Sequence, residues 1–109
     1  MVPKQQFHLP IAIPEEGLAS FCGKWKISEL CVFGSVLRDD FRPESDVDIL
    51  VRFYSEAHWG LFEMVQMEAE LSALLNRKVD LVSRNAVEKS HNWIRRESIL
   101  QSAKLLYAA

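Results

Sequence analysis

Three aspartates and one glycine–serine pair carry the chemistry available to this chain. Asp46 and Asp48 stand with one residue between them in "DVDILVRF", and Asp80 stands alone in "KVDLV". Both stretches are short apolar runs bounded by turn residues, so both are expected to be strands. Side chains two apart on a strand share a face, which puts Asp46 and Asp48 together with Cα atoms about 6.6 Å apart. Val47 and Ile49 then point into the core. Val79 and Leu81 flank Asp80 in the same way, so Asp80 joins the pair if its strand lies beside theirs. Carboxylates held this close repel one another unless cations sit between them. Hard divalent ions with oxygen ligands, Mg²⁺ above all, suit such donors. Three carboxylates on one sheet face can hold two ions about 3.5–4 Å apart, as used for in-line displacement at phosphorus. The plain alternative for an isolated Asp-x-Asp is a pair of solvated acids at a strand start.

Gly34 and Ser35 supply a complementary half. A small residue at a strand end lets backbone N–H groups approach an anion, and a helical turn after it directs its positive end there. The Ser35 hydroxyl adds a donor. Arg38, one turn further on, is placed to reach the same phosphates, with Arg42 on the following loop a weaker candidate. Other motifs fail on spacing. There is no Gly-Lys-Ser/Thr, which excludes a P-loop, and "DILVR" stands where an EF-hand needs a glycine and further oxygen ligands. Asp-x-Asp also occurs in metal-dependent sugar transferases.

The elements that must position these residues follow from pattern. Pro14 with Glu15 and Glu16 reads as a helix start, with the proline at the first helical position and the helix running to about residue 26. "ELCVF" is a strand ended by Gly34. "VLRDDFRPES" is a short helical turn and then a loop, and "DVDILVRF" is the second strand, antiparallel to the first if the connection is short. A helix over residues 58–76 carries Leu61, Met64, Met67, Leu71, Leu74 and Leu75 on one stripe, with Phe62 off it. "KVDLV" is the third strand. From about residue 86 the pattern is helical with a break near Asn92, and Ile99, Leu100, Ala103, Leu106 and Tyr107 share a face of the last helix. The expected architecture is α/β (α+β): a small mixed sheet with helices packed on it.

Composition bounds the rest. The 109 residues, 49% of them hydrophobic, are read as a single domain over 1–109, with 1–13 a loose lead-in. A net charge of −2 gives no global attraction for nucleic acid or anionic membrane, and no direct nucleic-acid binding is expected. Cys22 and Cys31 are expected as free buried thiols. The apolar run near the N-terminus is broken by Pro10 and Pro14, which does not fit a signal peptide, and no run is long enough to span a bilayer, so the cytoplasm is the expected location. His8, His58 and His91 have no metal-ligand spacing. Trp25, Trp59 and Trp93 are expected as packing or partly exposed anchors. Arg95 and Arg96 read first as a solvated helix face, with contact to a phosphate or partner as the alternative.

Taken together, Gly34-Ser35, ten intervening residues and Asp46-Val47-Asp48 resemble the signature of the DNA polymerase β-like nucleotidyltransferase superfamily. Asp80 sits where that superfamily keeps its third carboxylate. Arg38 after the glycine–serine pair, "RPES" before the first aspartate, "VDLV", and the tail "RRESILQSAKLLYAA" are similar to the minimal (MNT-type) members. The resemblance covers the chain from about residue 27 to its end. It implies that Asp46, Asp48 and Asp80 are catalytic and hold two Mg²⁺ ions, that Gly34, Ser35, Arg38 and Ser45 contact the nucleotide, and that ATP is the substrate. It also implies that a hydroxyl attacks the α-phosphate while Asp80 helps remove its proton. With little sequence spare to shape an acceptor pocket, the acceptor is expected to be presented by another protein. Minimal members pair with a HEPN ribonuclease toxin and act as its antitoxin, which implies AMP transfer to a toxin tyrosine within a hetero-oligomer. Two alternatives stand beside this: an antitoxin that neutralises by binding alone, through exposed residues such as Trp59, Phe62 or Trp93, and an adenylyltransferase for a small-molecule hydroxyl.

Overall fold

The structure is a computed structural model that describes residues 12–34 and 45–109. Most of the expected lead-in, with His8, and the turn expected after Gly34, with Ser35, Arg38 and Arg42, lie outside the described residues. The elements in chain order are α1 (Glu15–Lys24), β1 (Ile27–Phe33), β2 (Val47–Phe53), α2 (Leu61–Leu75), β3 (Val79–Ser83), α3 (Arg84–Glu88), α4 (Trp93–Ser102) and β4 (Lys104–Ala108). The strands form one mixed sheet in the order β3-β2-β1-β4. β1 is antiparallel to both β2 and β4, as the short β1–β2 connection predicts for that pair. β2 and β3 are parallel, and α2 provides the crossover that a parallel pair requires.

The sheet buries two unequal faces. Leu30, Val32, Val47, Ile49, Val51, Val79 and Leu81 pack against Leu18, Phe21 and Cys22 of α1 and Met67, Leu71 and Leu75 of α2. On the other face Cys31, Phe33 and Leu50 meet Val87 of α3 and Ile99 of α4 in a smaller cluster. The period of two in β2 explains the division: odd positions enter the large core, while Leu50 enters the small one and Asp48 is next in its row.

Burial falls off along the α2 stripe towards the helix start. Met67 is fully buried, Met64 is half-buried, and Leu61 is 80% exposed rather than packed as its place on the stripe predicts. The first turn of α2 projects past the core. Phe62, expected off the stripe, is 89% exposed. The helix start is held by Glu63, whose carboxylate accepts from the Gly60 N–H at 2.6 Å. Its end is closed by Asn76 in the left-handed conformation. Pro14 precedes α1 as its N-cap instead of forming its first residue.

The C-terminus departs from the expected helix. The break near Asn92 is present, with the Asn92 side chain capping the Arg95 N–H. But α4 stops at Ser102, Ala103 is extended, and residues Lys104–Ala108 form β4. Leu106 and Tyr107 are buried in the large core from a strand, while Ile99 is buried in the small core from α4. β1 is an inner strand of the sheet, and β4 satisfies backbone groups on one side of it that would otherwise be an open edge. Among the described residues no helix is long and apolar enough to cross a membrane.

Candidate active site

The site is built on the row that Leu50 leaves unfinished. Asp48 lies opposite Phe33 of β1 and opposite Asp80 of β3. Residues in register on adjacent strands share a face, about 4.8 Å apart. Asp48 and Asp80 therefore stand side by side on the face carrying the small core, as the alternation predicts. Val79 and Leu81 are buried on the opposite face, and Asp80 is exposed.

β3 is an edge strand, and α2 protects it. The Val79 N–H donates to Ser72 Oγ at 3.0 Å, and the Leu81 N–H donates to Glu68 Oε2 at 3.0 Å. The Ser72 hydroxyl in turn donates to the Glu68 carbonyl at 2.7 Å. These bonds satisfy outward N–H groups on either side of Asp80 and fix the strand that carries it.

Asp46 lies just before the strand, because β2 begins at Val47. Its Oδ2 is 3.9 Å from Lys78 Nζ, and the two side chains are 45% and 80% exposed. The backbone there is pinned: the Val47 N–H donates to the Lys78 carbonyl at 2.8 Å, and Arg77 Nη2 donates to the Ser45 carbonyl at 3.4 Å. Ser45 is thereby fixed next to Asp46. An exposed pair such as Lys78–Asp46 contributes at most about 1 kcal/mol, so an incoming divalent ion can displace it.

Gly34 closes the site from β1. Its φ of +75° is a left-handed conformation that favours glycine. A β-carbon built at Gly34 would collide with the Asp48 carboxylate. The backbone of Gly34 and the side chain of Asp48 are thus in close approach, and the absent side chain makes room for it.

The fit to a divalent metal follows from the donors. Asp48 and Asp80 are hard oxygen ligands set side by side, and Asp46 lies two residues before Asp48. Among the described residues no three His, Cys, Asp or Glu side chains close on a single metal position. Asp46 is instead directed to Lys78. The donor chemistry suits Mg²⁺, which Asp48 and Asp80 would hold, with Asp46 as a further oxygen donor.

A pocket of about 490 Å³ opens beside Asp48, lined by Phe33, Gly34, Arg95, Ser98, Ile99 and Ser102 as well. Of the three polar residues of α4, Ser98 and Ser102 were not expected at the site, and Arg95 only as the alternative to a solvated face. The signal was their spacing around Ile99, the α4 residue that packs on the sheet. A larger cavity of about 580 Å³, lined by Arg52, Tyr54, His58, Trp59 and Arg84 among others, lies at the opposite ends of β2 and β3 and contains none of the three aspartates. Of the two, the smaller is the one lined by expected site residues, Gly34 and Asp48. Trp59 is a packing anchor: it stacks edge-on against Trp25 with ring centroids 5.2 Å apart and donates to the Trp25 carbonyl at 2.8 Å.

The chain belongs to the nucleotidyltransferase domain family, whose model matches residues 15–106. Its fold is that of the minimal polymerase β-like nucleotidyltransferases. Among its relatives, a candidate protein adenylyltransferase of Methanocaldococcus jannaschii is 36% identical over 76 residues, 70% of this chain and 72% of that one. The protein adenylyltransferase MntA of Thermococcus cleftensis is 38% identical over 65 residues, 60% of this chain and 64% of that protein. The fold also matches a crystal structure of a toxin–antitoxin with AMP-PNP, with a TM-score of 0.65 and 18% identity, over 89% of this chain and 75% of that one.

Proposed function

We propose that this chain is a protein adenylyltransferase that moves AMP from ATP to a hydroxyl, a tyrosine's, on a HEPN-type ribonuclease toxin, and so acts as its antitoxin. The observation that carries the reading is Asp48, which lies against Gly34, lines a pocket large enough for part of a nucleotide and stands in register with Asp80. The relatives named as protein adenylyltransferases and the toxin–antitoxin structure support the acceptor class.

In the reaction the acceptor oxygen attacks the α-phosphorus and forms a new P–O bond. The bond from that phosphorus to the bridging oxygen breaks, and pyrophosphate leaves with the electron pair. The hydroxyl proton passes to a base, the role assigned here to Asp80, which is exposed and so open to an acceptor arriving from outside. Gly34 and Ser35 hold the distal phosphates through backbone N–H groups and the hydroxyl, with Arg38 and Ser45 alongside. Asp46, Asp48 and Asp80 would hold two Mg²⁺ ions, which supply charge neutralisation to the phosphates. AMP on the toxin adds bulk and negative charge that obstruct RNA binding.

The test is intact mass spectrometry of this protein and its cognate partner after incubation with ATP and Mg²⁺. AMP-sized mass steps on the partner, absent with Asp46→Ala, are expected. A second reading rests on the exposure of Leu61, Phe62 and Trp93, which suits neutralisation by binding alone. It requires that Asp46→Ala still neutralise the partner, and that no mass step occur.

A further inference from the structure

The α4 side of the pocket has a composition that the Asp48 side lacks. Arg95, Ser98, Ile99 and Ser102 follow one another at helical spacing and fall on one stripe. Ile99 is 6% exposed and packs with Cys31, Phe33 and Leu50, which fixes the rotation of the helix. Arg95, Ser98 and Ser102 then line the same pocket as Gly34 and Asp48.

The two arginines of this helix are used differently. Arg96 Nη1 donates to the Ser90 carbonyl at 3.0 Å, and Arg96 lies 4.0 Å from Glu97. The Arg95 side chain makes no hydrogen bond or ion pair among the described residues, although its backbone N–H is tied to the Asn92 cap. A planar guanidinium with free donors, and two hydroxyls on the same stripe, form a donor set matched to phosphate oxygens. Asp48, which lines the same pocket, is matched instead to a cation. A metal–polyphosphate complex would suit both donor sets, with Asp48 supplying oxygen to the cation and the helix supplying donors to the phosphate oxygens.

We propose that Arg95, with Ser98 and Ser102, forms a wall of the nucleotide site on α4 that grips the polyphosphate of ATP and retains its charge as pyrophosphate departs. This rests on the nucleotidyl-transfer reading above and adds to it residues outside the glycine–serine turn. The wall reads phosphates and not the nucleoside, so ligands with and without a polyphosphate separate it from a general role in nucleotide binding.

Binding of ATP, inorganic pyrophosphate and AMP, each with Mg²⁺, is measured by calorimetry without any acceptor, for the wild type, Arg95→Ala, Arg95→Lys and Ser98→Ala/Ser102→Ala. Lys89→Ala, which removes an exposed charge elsewhere, is the control. Arg95→Ala is expected to weaken ATP and pyrophosphate together by about 10- to 100-fold, the range of a hydrogen bond to a charged group, and to leave AMP unchanged. Arg95→Lys keeps the charge without the fork and falls between. The double serine variant loses a smaller factor, and the melting temperatures match. Equal ATP and pyrophosphate affinity in wild type and Arg95→Ala overturns the wall and leaves nucleotidyl transfer standing. An equal loss for AMP moves Arg95 to the nucleoside end and also overturns it. A wild type that binds neither ATP nor pyrophosphate removes the nucleotide site itself, and the wall with it.

Discussion

The Gly34 backbone and the Asp48 carboxylate are packed so closely that a β-carbon on the glycine would collide with the acid. Two constraints therefore meet at one residue: a φ of +75° and an absent side chain. Gly34→Ala is expected to cost about 1–2 kcal/mol of stability from the left-handed backbone alone. Its larger effect is on function, because Asp48 must move to accommodate the methyl group. Misplacement of a reacting group by about 1 Å costs on the order of 100-fold in rate. AMP transfer measured beside a melting curve distinguishes the two. A variant that is destabilised but transfers at the wild-type rate rules out a positioning role for this contact.

Asp48 and Asp80 stand side by side and share a sign, so neutralising one should not harm the fold. Asp80 is exposed, and Asp80→Asn is expected to change stability by less than about 0.5 kcal/mol. Transfer should fall by about 10²- to 10⁴-fold, the usual worth of a general base. The checks are a denaturant titration and initial rates under saturating ATP. Retained transfer would remove Asp80 from the proton-transfer role.

Sequence pattern reaches the aspartates because a strand repeats every two residues. Alternation alone separates Asp48 from Val47 and Ile49, and Asp80 from Val79 and Leu81. It is less informative where the decision is tertiary. "KLLYAA" contains no residue that forbids a helix, and its apolar positions extend the α4 stripe. What makes it a strand is the open edge of β1, which no local pattern reveals. Leu61 fits the α2 stripe, but the stripe does not show where the core ends. Arg95 is similar: its neighbours resemble a solvated face until Ile99 docks on the sheet and sets the rotation of the helix.

Glu70 ties α1 to α2. Its carboxylate accepts from Trp25 Nε1 at 3.0 Å, from Lys24 Nζ at 3.0 Å and from Gln66 Nε2 at 3.1 Å. The Trp25 bond foremost, with Lys24 and Gln66, holds its pKa below the ordinary glutamate value against the opposing effect of burial. A lowered carboxylate pKa stabilises the fold in full above the unfolded value and loses that contribution as pH falls through the folded one. Glu70→Ala strands the N–H of Trp25, which is only 7% exposed, at a cost of about 1–3 kcal/mol. Denaturation at neutral pH and through the acid range should show the wild type losing more stability on acidification than the variant. Parallel pH curves would show that Glu70 does not contribute this linkage.

The two cysteines provide a probe of the cores that is independent of catalysis. Burial pushes the Cys22 thiol up to about 12. Burial, and then the neighbouring Glu29 carboxylate, push Cys31 up to about 11. Both are free, and they sit on opposite faces of the sheet, Cys22 in the large core and Cys31 in the small one. The thiolate is the reactive form, so at pH 8 neither residue should react with a thiol reagent while the fold is intact. Both should react at once in concentrated guanidinium. Under native conditions the rate then reports opening of each core. Cys31 should respond first, because its cluster is the smaller and α3 and α4 cover it in short helices. Faster labelling of Cys22 would invert that order and place the weaker packing under α1 and α2.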